Sequence, residues 1–128
     1  MTGVIIRPAE AKDLPGIVAL LADDDLGRGR EDPAQPPNPK YLEAFTAMQG
    51  DENQLLVVAE IAEAVVGYLQ LTFIPGLSRQ GMWRGQIESV RVAAGQRGSG
   101  LGRQLFDWTI AACRERGCGL VQLTTDKV

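Results

Sequence analysis

Ile87-Glu88-Ser89-Val90-Arg91-Val92, then Gln96-Arg97-Gly98-Ser99-Gly100-Leu101-Gly102, then a run carrying Leu105, Trp108 and Ala112: this stretch decides the fold. Its first six residues alternate and are rich in β-branched types, the pattern of a sheet strand. Downstream, Leu105, Trp108 and Ala112 follow Leu101 at steps of four, three and four, which is one face of a helix. Between strand and helix, three glycines fall within Gly98–Gly102, flanked by Arg97 and Arg103. That composition builds a nest of backbone N–H groups over a helix N-terminus, where phosphate oxygens are favoured by hydrogen bonds and by the dipole. Glycine serves there because a chain without Cβ adopts positive φ and lets phosphate approach the backbone. The stretch therefore points to a ligand bearing a diphosphate. The alternative, a tight turn that binds nothing, does not require three glycines and an arginine in six residues.

Spacing narrows the ligand. A dinucleotide fingerprint needs G-x-G-x-x-G, but Arg103 stands where the third glycine belongs. A phosphate loop of the Walker type needs Gly-Lys-Ser/Thr, and the chain has no such triplet. What the residues do match is Arg-Gly-x-Gly-x-Gly at Arg97 to Gly102, after a strand ending Val90-Arg91-Val92. This resembles the acetyl-CoA-binding motif of the Gcn5-related N-acetyltransferase (GNAT) superfamily. Ile6-Arg7-Pro8-Ala9, the Lys12-Asp13-Leu14-Pro15 helix start, Val66-Gly67-Tyr68 and Leu123-Thr124-Thr125 also sit where that family would put them.

The resemblance implies an N-acetyltransferase that moves an acetyl group from acetyl-CoA, as cosubstrate, to a primary amine. It implies diphosphate contacts from Arg97, Gly98, Ser99, Gly100, Leu101, Gly102 and Arg103, and a splay between the Val90–Val92 and Leu120–Thr124 segments. The pantetheine arm would then hydrogen-bond to backbone at Val90 and Val92 like an added strand. Val90 or Arg91 would supply a backbone N–H to the tetrahedral oxyanion.

Bulk properties bound the rest. At 128 residues and 45% hydrophobic, the chain has the size of one domain with a single core. The net charge is −3 and no basic stripe forms, which argues against nucleic acid as a partner. No run approaches the roughly 18 apolar residues of a membrane span, and no signal-like N-terminus is visible. Cys113 and Cys118 read as reduced thiols, consistent with a cytoplasmic location. There is no histidine, so a histidine base and a histidine metal site are excluded, and no metal is expected.

In chain order, Val4–Arg7 reads as a strand. Asp13 is the expected N-cap of a helix with Leu14, Ile17, Val18 and Leu21 on its apolar face. Asp23 to Lys40 is polar and broken by four prolines, a connector or binding loop that should not pack. A helix over Tyr41–Met48 follows, presenting Leu42, Phe45 and Met48. Strands at Leu55–Ile61 and Val65–Phe73 make a hairpin through Glu63-Ala64, and Leu77–Arg84 is a loop. The helix Gly100–Arg116 ends at Gly117, before a last strand at Leu120–Thr124. The order β-α-α-β-β-β-α-β is an α/β domain with a mixed central sheet of the acyl-CoA N-acyltransferase type. In the family it continues with a helix, which commonly carries a tyrosine acid, and further strands. Residues 1–128 therefore read as one N-acetyltransferase domain without that C-terminal part, whose last strand would be covered by further chain or by a homodimer partner.

For chemistry, an alkylamine of pKa about 10 must lose a proton before it attacks a thioester. Glu88 is the candidate base: alternation places it on the face of Val90 and Val92, with Arg91 on the other. The competing reading is a strand carboxylate paired to Arg84 or Arg91. Gln86, one pleat earlier, is at most a positioner. Tyr41 and Tyr68 are the only tyrosines available as acid, and neither is singled out. The acceptor is read only as a small-molecule or peptide amine, with Asp23–Asp25, Glu31 and Asp32 as a weak attraction for a cation and Trp83 as a wall. A CoA-binding regulatory module without catalysis is the alternative.

Overall fold

The computed structural model describes residues 3–24 and 27–124. Five strands form one sheet in the order β1-β2-β3-β4-β5. They are β1 (Ile5–Pro8), β2 (Gln54–Ile61), β3 (Ala64–Ile74), β4 (Trp83–Val92) and β5 (Cys118–Leu123). The first four run antiparallel to their neighbours and β5 runs parallel to β4, so the sheet is mixed, as expected from the element order. Three helices cover it: α1 (Leu14–Ala22), α2 (Pro39–Gln49) and α3 (Leu101–Glu115).

Each face of the sheet has its own core. On one face Val57, Ala59, Leu69, Leu71, Phe73 and Ile87 pack against Leu101, Leu105 and Cys113 of α3. On the other Leu56, Val58 and Tyr68 pack against Leu14, Ile17 and Leu20 of α1 and Phe45 of α2. The buried stripe of α3 runs Leu101, Leu105, Thr109, Cys113, so the expected Trp108 and Ala112 flank it half-buried. Thr109 can lie inside because its hydroxyl donates to the Leu105 carbonyl at 2.8 Å and leaves nothing unsatisfied. Cys113 and Cys118 are free thiols, and burial pushes the Cys113 thiol up to about 11.

Several local expectations are corrected. Asp13 precedes α1 but does not cap it with its side chain. Its carboxylate accepts from Arg7 at 2.8 and 2.9 Å and from the Glu10 amide at 2.7 Å, because a buried carboxylate gains more from a guanidinium than from one N–H. Leu42 is half exposed, leaving Phe45 and Met48 as the anchors of α2. That helix starts at Pro39, where Asn38 Oδ1 accepts from the Lys40 amide. The hairpin turn is Ala62-Glu63, both at positive φ, and β4 begins at Trp83 rather than Ile87.

The Asp23–Lys40 connector does pack in part. Gly27–Arg30 forms one helical turn whose first amide donates to Asp24 Oδ1, and Gly27 is buried. Asp25 lies outside the described residues. At the far edge β5 leaves Leu120 and Leu123 exposed, while Thr125 lies outside the described residues. Among the described residues no helix is long and apolar enough to cross a membrane.

Candidate active site

The strand β4, the loop after it and the start of α3 form the centre of the site. Past Val92 the chain makes a single turn at Ala94–Gln96, extends through Arg97, and enters the left-handed region at Gly98 (φ +82°) and Gly100 (φ +89°). A Cβ at either glycine would meet nothing within 4 Å among the described residues. Ser99 is held by its own turn, its hydroxyl donating to the Gln96 carbonyl at 2.6 Å. Helix α3 then starts with no side-chain cap and no acid in its first turn. Among the described residues, its first amide to find an acceptor is Gln104, bonded to the Gly100 carbonyl at 3.1 Å. The amides of Leu101, Gly102 and Arg103 thus project from an uncapped positive helix end. Arg97 and Arg103 stand exposed on either side. This arrangement fits a diphosphate.

Upstream, β4 departs from simple alternation. Opposite β3, Glu88 pairs with Gln70 and Arg91 with Tyr68, so Ser89 and Val90 together stand against the single residue Leu69. Ser89 adopts φ +58° to make this bulge, a conformation that a non-glycine residue holds only where its surroundings fix it. The extra residue reverses the pleat. Glu88 and Arg91 therefore lie on the α1 face with Tyr68 and Gln70, whereas Val90 and Val92 pack into the α3-side core. This corrects the expectation that Glu88 shares a face with Val90 and Val92, and that Arg91 points away from it. Alternation fails here because its period of two breaks wherever one strand gains a residue.

The bulge also lies where the pairing with β5 runs out. Described pairing of β4 with β5 ends at Ile87↔Leu123, with the Thr124 amide donating to the Ile87 carbonyl at 2.9 Å. Glu88 through Val92 have no partner on that side among the described residues.

Around Glu88 the charges are laid out unevenly. Arg91, which the competing reading would pair with Glu88, places Nε 3.0 Å from Asp24 Oδ2. The N–H is not aimed at that oxygen, so this is an ion contact, and the buried Nε has no hydrogen bond. Nη1 of Arg91 donates to the Val90 carbonyl at 3.0 Å. The Gly27 amide, more than Arg91, holds the Asp24 carboxyl below the usual carboxylate range. Glu88, half-buried, forms no ion pair among the described residues, with Arg84 and Arg91 included.

Tyr68, 4% exposed, lies beside it. Burial pushes the Tyr68 phenol well up, the Glu88 charge adds to this and Arg91 opposes it. From the connector, Glu31 accepts from the Tyr41 hydroxyl at 2.7 Å, and that oxygen accepts from the Asp32 amide at 2.9 Å. Burial is the main reason the Tyr41 phenol is raised. The Arg91–Asp24 tether and the closeness of Tyr68 to Glu88 had no signal in local sequence, because both depend on the bulge.

Two clefts of about 700 and 620 Å³ flank Trp108 along α3, and neither includes Glu88 or a residue of the glycine loop. No group of three or more His, Cys, Asp or Glu side chains is placed to hold a metal ion among the described residues.

Comparison with known proteins fits this geometry. Residues 19–128 match the Acetyltransferase (GNAT) family. No curated protein matches the chain. Among solved structures, a transcriptional regulator from Bacillus halodurans C-125 is 49% identical, with a TM-score of 0.93 over 97% of this chain and 83% of that one. A Trypanosoma brucei acetyltransferase is 27% identical, with a TM-score of 0.77 over 97% and 84%. Glucosamine-6-phosphate N-acetyltransferase from Arabidopsis thaliana, 20% identical with a TM-score of 0.79 over 96% and 82%, shares the fold. With its family match, its five-stranded mixed sheet and the arginine-glycine loop at the head of α3, the chain belongs to the GNAT acetyltransferase family.

Proposed function

We propose that the protein is an N-acetyltransferase that transfers the acetyl group of acetyl-CoA directly to a primary amine. The observation that carries this reading is the uncapped start of α3 behind two left-handed glycines, directly after the bulged end of β4. The amides of Leu101, Gly102 and Arg103 would take the diphosphate, with Gly98, Ser99 and Gly100 leaving it room and Arg97 and Arg103 neutralising its charge. Val90 and Val92, at the end of β4 beyond the last β5 pair, would offer backbone to the pantetheine arm, and a Val90 or Arg91 amide would meet the oxyanion.

Acetyl-CoA supplies an activated thioester carbonyl. The amine nitrogen bonds to that carbon, the carbon–sulfur bond breaks, and the sulfur leaves as thiolate. Glu88 accepts the proton the amine sheds, directly or through water, and the balance is completed when a proton reaches the thiolate, giving an amide and free CoA. Unpaired with arginine, the Glu88 carboxylate is available for that role.

The alternative, a CoA-binding regulatory module, is favoured by one observation: the 49% identical chain bears the name of a transcriptional regulator. One assay separates the two. Incubation with acetyl-CoA and a panel of primary amines should release CoA thiol only when amine is present. Tight acetyl-CoA binding with no amine-dependent thiol release would favour the regulatory module.

A further inference from the structure

The face of the sheet that carries Glu88 also carries a continuous band of uncharged polar side chains. Gln54 of β2 lies opposite Thr72 of β3, Thr72 opposite Gln86 of β4, Gln70 opposite Glu88, and Gln86 beside Gln122 of β5. Directly paired residues project to the same side of a sheet, so all six share one face. Every one of them is half-buried. The band crosses four strands, and three interstrand steps of about 4.8 Å give it a length of about 14 Å.

Its amides are oriented by one another. Gln54 Oε1 accepts from Gln70 Nε2 at 3.3 Å and from Thr72 Oγ1 at 3.2 Å. At the other end Gln122 Nε2 donates to Gln86 Oε1 at 2.9 Å. These bonds spend only part of what a carboxamide offers, which is two donors and two acceptor lone pairs. Both N–H donors of Gln54 and Gln86 remain, as do the carbonyl oxygens of Gln70 and Gln122. None of these atoms is both buried and unpaired, so all of them can reach a ligand or solvent. The one formal charge in the band is Glu88. Packing gives no reason for amides here, since half-buried strand positions ordinarily take threonine or β-branched side chains.

Fixed donors and acceptors in alternation match a ligand whose own groups both donate and accept. Hydroxyl groups do so, alkyl chains do neither, and a polyamine needs more than one carboxylate. Resting on the acetyltransferase reading above, we propose that the band Gln54-Gln70-Thr72-Gln86-Gln122 recognises the acceptor, and that the acceptor is a small primary amine bearing several neutral hydroxyl groups. Its amine sits at Glu88 and its hydroxyls lie along the amides. The length of the band suits a ligand of one or two six-membered rings.

The test compares 2-amino-2-deoxyglucose with n-hexylamine and spermidine as acceptors. The parent protein should favour the amino sugar over hexylamine in kcat/KM by at least about 30-fold, the factor expected from two neutral hydrogen bonds. In the double variant Gln70→Met, Gln122→Met that preference should fall at least about tenfold through a higher amino-sugar KM, with acetyl-CoA affinity as the control for folding. Gln70→Asn should recover part of it. A parent preference for hexylamine or spermidine, or an unchanged preference in the double variant, overturns the proposal. If no amine is acetylated, the transferase reading fails, and calorimetry of the CoA-loaded protein still decides this one. Binding of the amino sugar that the double variant loses supports the proposal, and no binding overturns it.

Discussion

The Arg91 guanidinium, on the central strand, lies 3.0 Å from the Asp24 carboxylate, beyond the end of α1. Asp24 in turn accepts the Gly27 amide that opens the short helical turn of the connector. One ion contact thus fastens a long, polar, proline-broken segment to the strand that carries the candidate base. Arg91 forms its ion contact with Asp24, and Glu88 has no ion pair among the described residues.

If this tether holds the connector over the Glu88 face, Asp24→Asn should speed amide hydrogen exchange several-fold across Gly27–Glu31. Exchange in α3 should not change. Arg91→Met should do the same and raise the acceptor KM more than the acetyl-CoA KM. Exchange in Gly27–Glu31 identical to that of the parent would show that the connector is held by other contacts.

Glu88→Gln should lower kcat by roughly 10²-fold while acetyl-CoA affinity stays close to that of the parent. The remaining activity should gain from higher pH, because the free amine fraction rises toward the amine pKa. A kcat that matches the parent at every pH would assign proton removal to solvent or to another group.

At the loop, Gly100→Asp should abolish the thermal stabilisation that acetyl-CoA gives, since a carboxylate would stand where the diphosphate is held. Gly95→Asp, at negative φ and facing open space just upstream, is the control that should keep it. Equal stabilisation in parent and Gly100→Asp would remove the loop from the binding account.

Asp13 and Arg7 link stability to pH. Asp13 is 4% exposed, and the Arg7 guanidinium holds its carboxyl below the usual range. A carboxyl lowered on folding contributes stability above its unfolded pKa of about 3.9, lost as pH falls through the folded value. Asp13→Asn should therefore be less stable than the parent at pH 7, and the gap should narrow on acidification below about pH 4. Arg7→Met, which leaves Asp13 buried without its guanidinium, should cost about 3 kcal/mol at pH 7 by urea unfolding. A gap that stays constant from pH 7 to pH 3 would contradict the linkage.

Much of the fold was legible in the sequence, and the reasons are local. The β-branched run Ile87–Val92, the glycine spacing at Gly98–Gly102 and the four-residue steps of α3 each depend on neighbours a few residues apart. The hairpin and the order of elements followed from similar runs. What escaped reading depends on contacts between distant segments. Asp13 has the position of a helix cap in the sequence, but Arg7, six residues earlier, takes its carboxylate. The connector looked unpacked because nothing in its composition announces Arg91 as a partner.

The most consequential miss was Ser89. The positive φ of Ser89 reverses the facing of Glu88 relative to Val92, and its sign in the sequence is the pair of consecutive polar residues, Glu88-Ser89, between Ile87 and Val90. The amide band likewise depends on contacts between strands. Gln54, Gln70, Gln86 and Gln122 each stand in a strand segment, and cross-strand register alone brings them onto one face.

The proposed reaction moves an acetyl group from acetyl-CoA to an amine through a site between the Arg97–Gly102 loop and Glu88. The most direct measurement follows the carbonyl carbon itself, by ¹³C NMR of carbonyl-labelled acetyl-CoA mixed with protein and a primary amine. The thioester signal should be replaced by an amide signal on the amine, this conversion should need the amine, and Gly100→Asp and Glu88→Gln should both suppress it. A thioester signal that persists beside the folded parent protein and every amine supplied would contradict it.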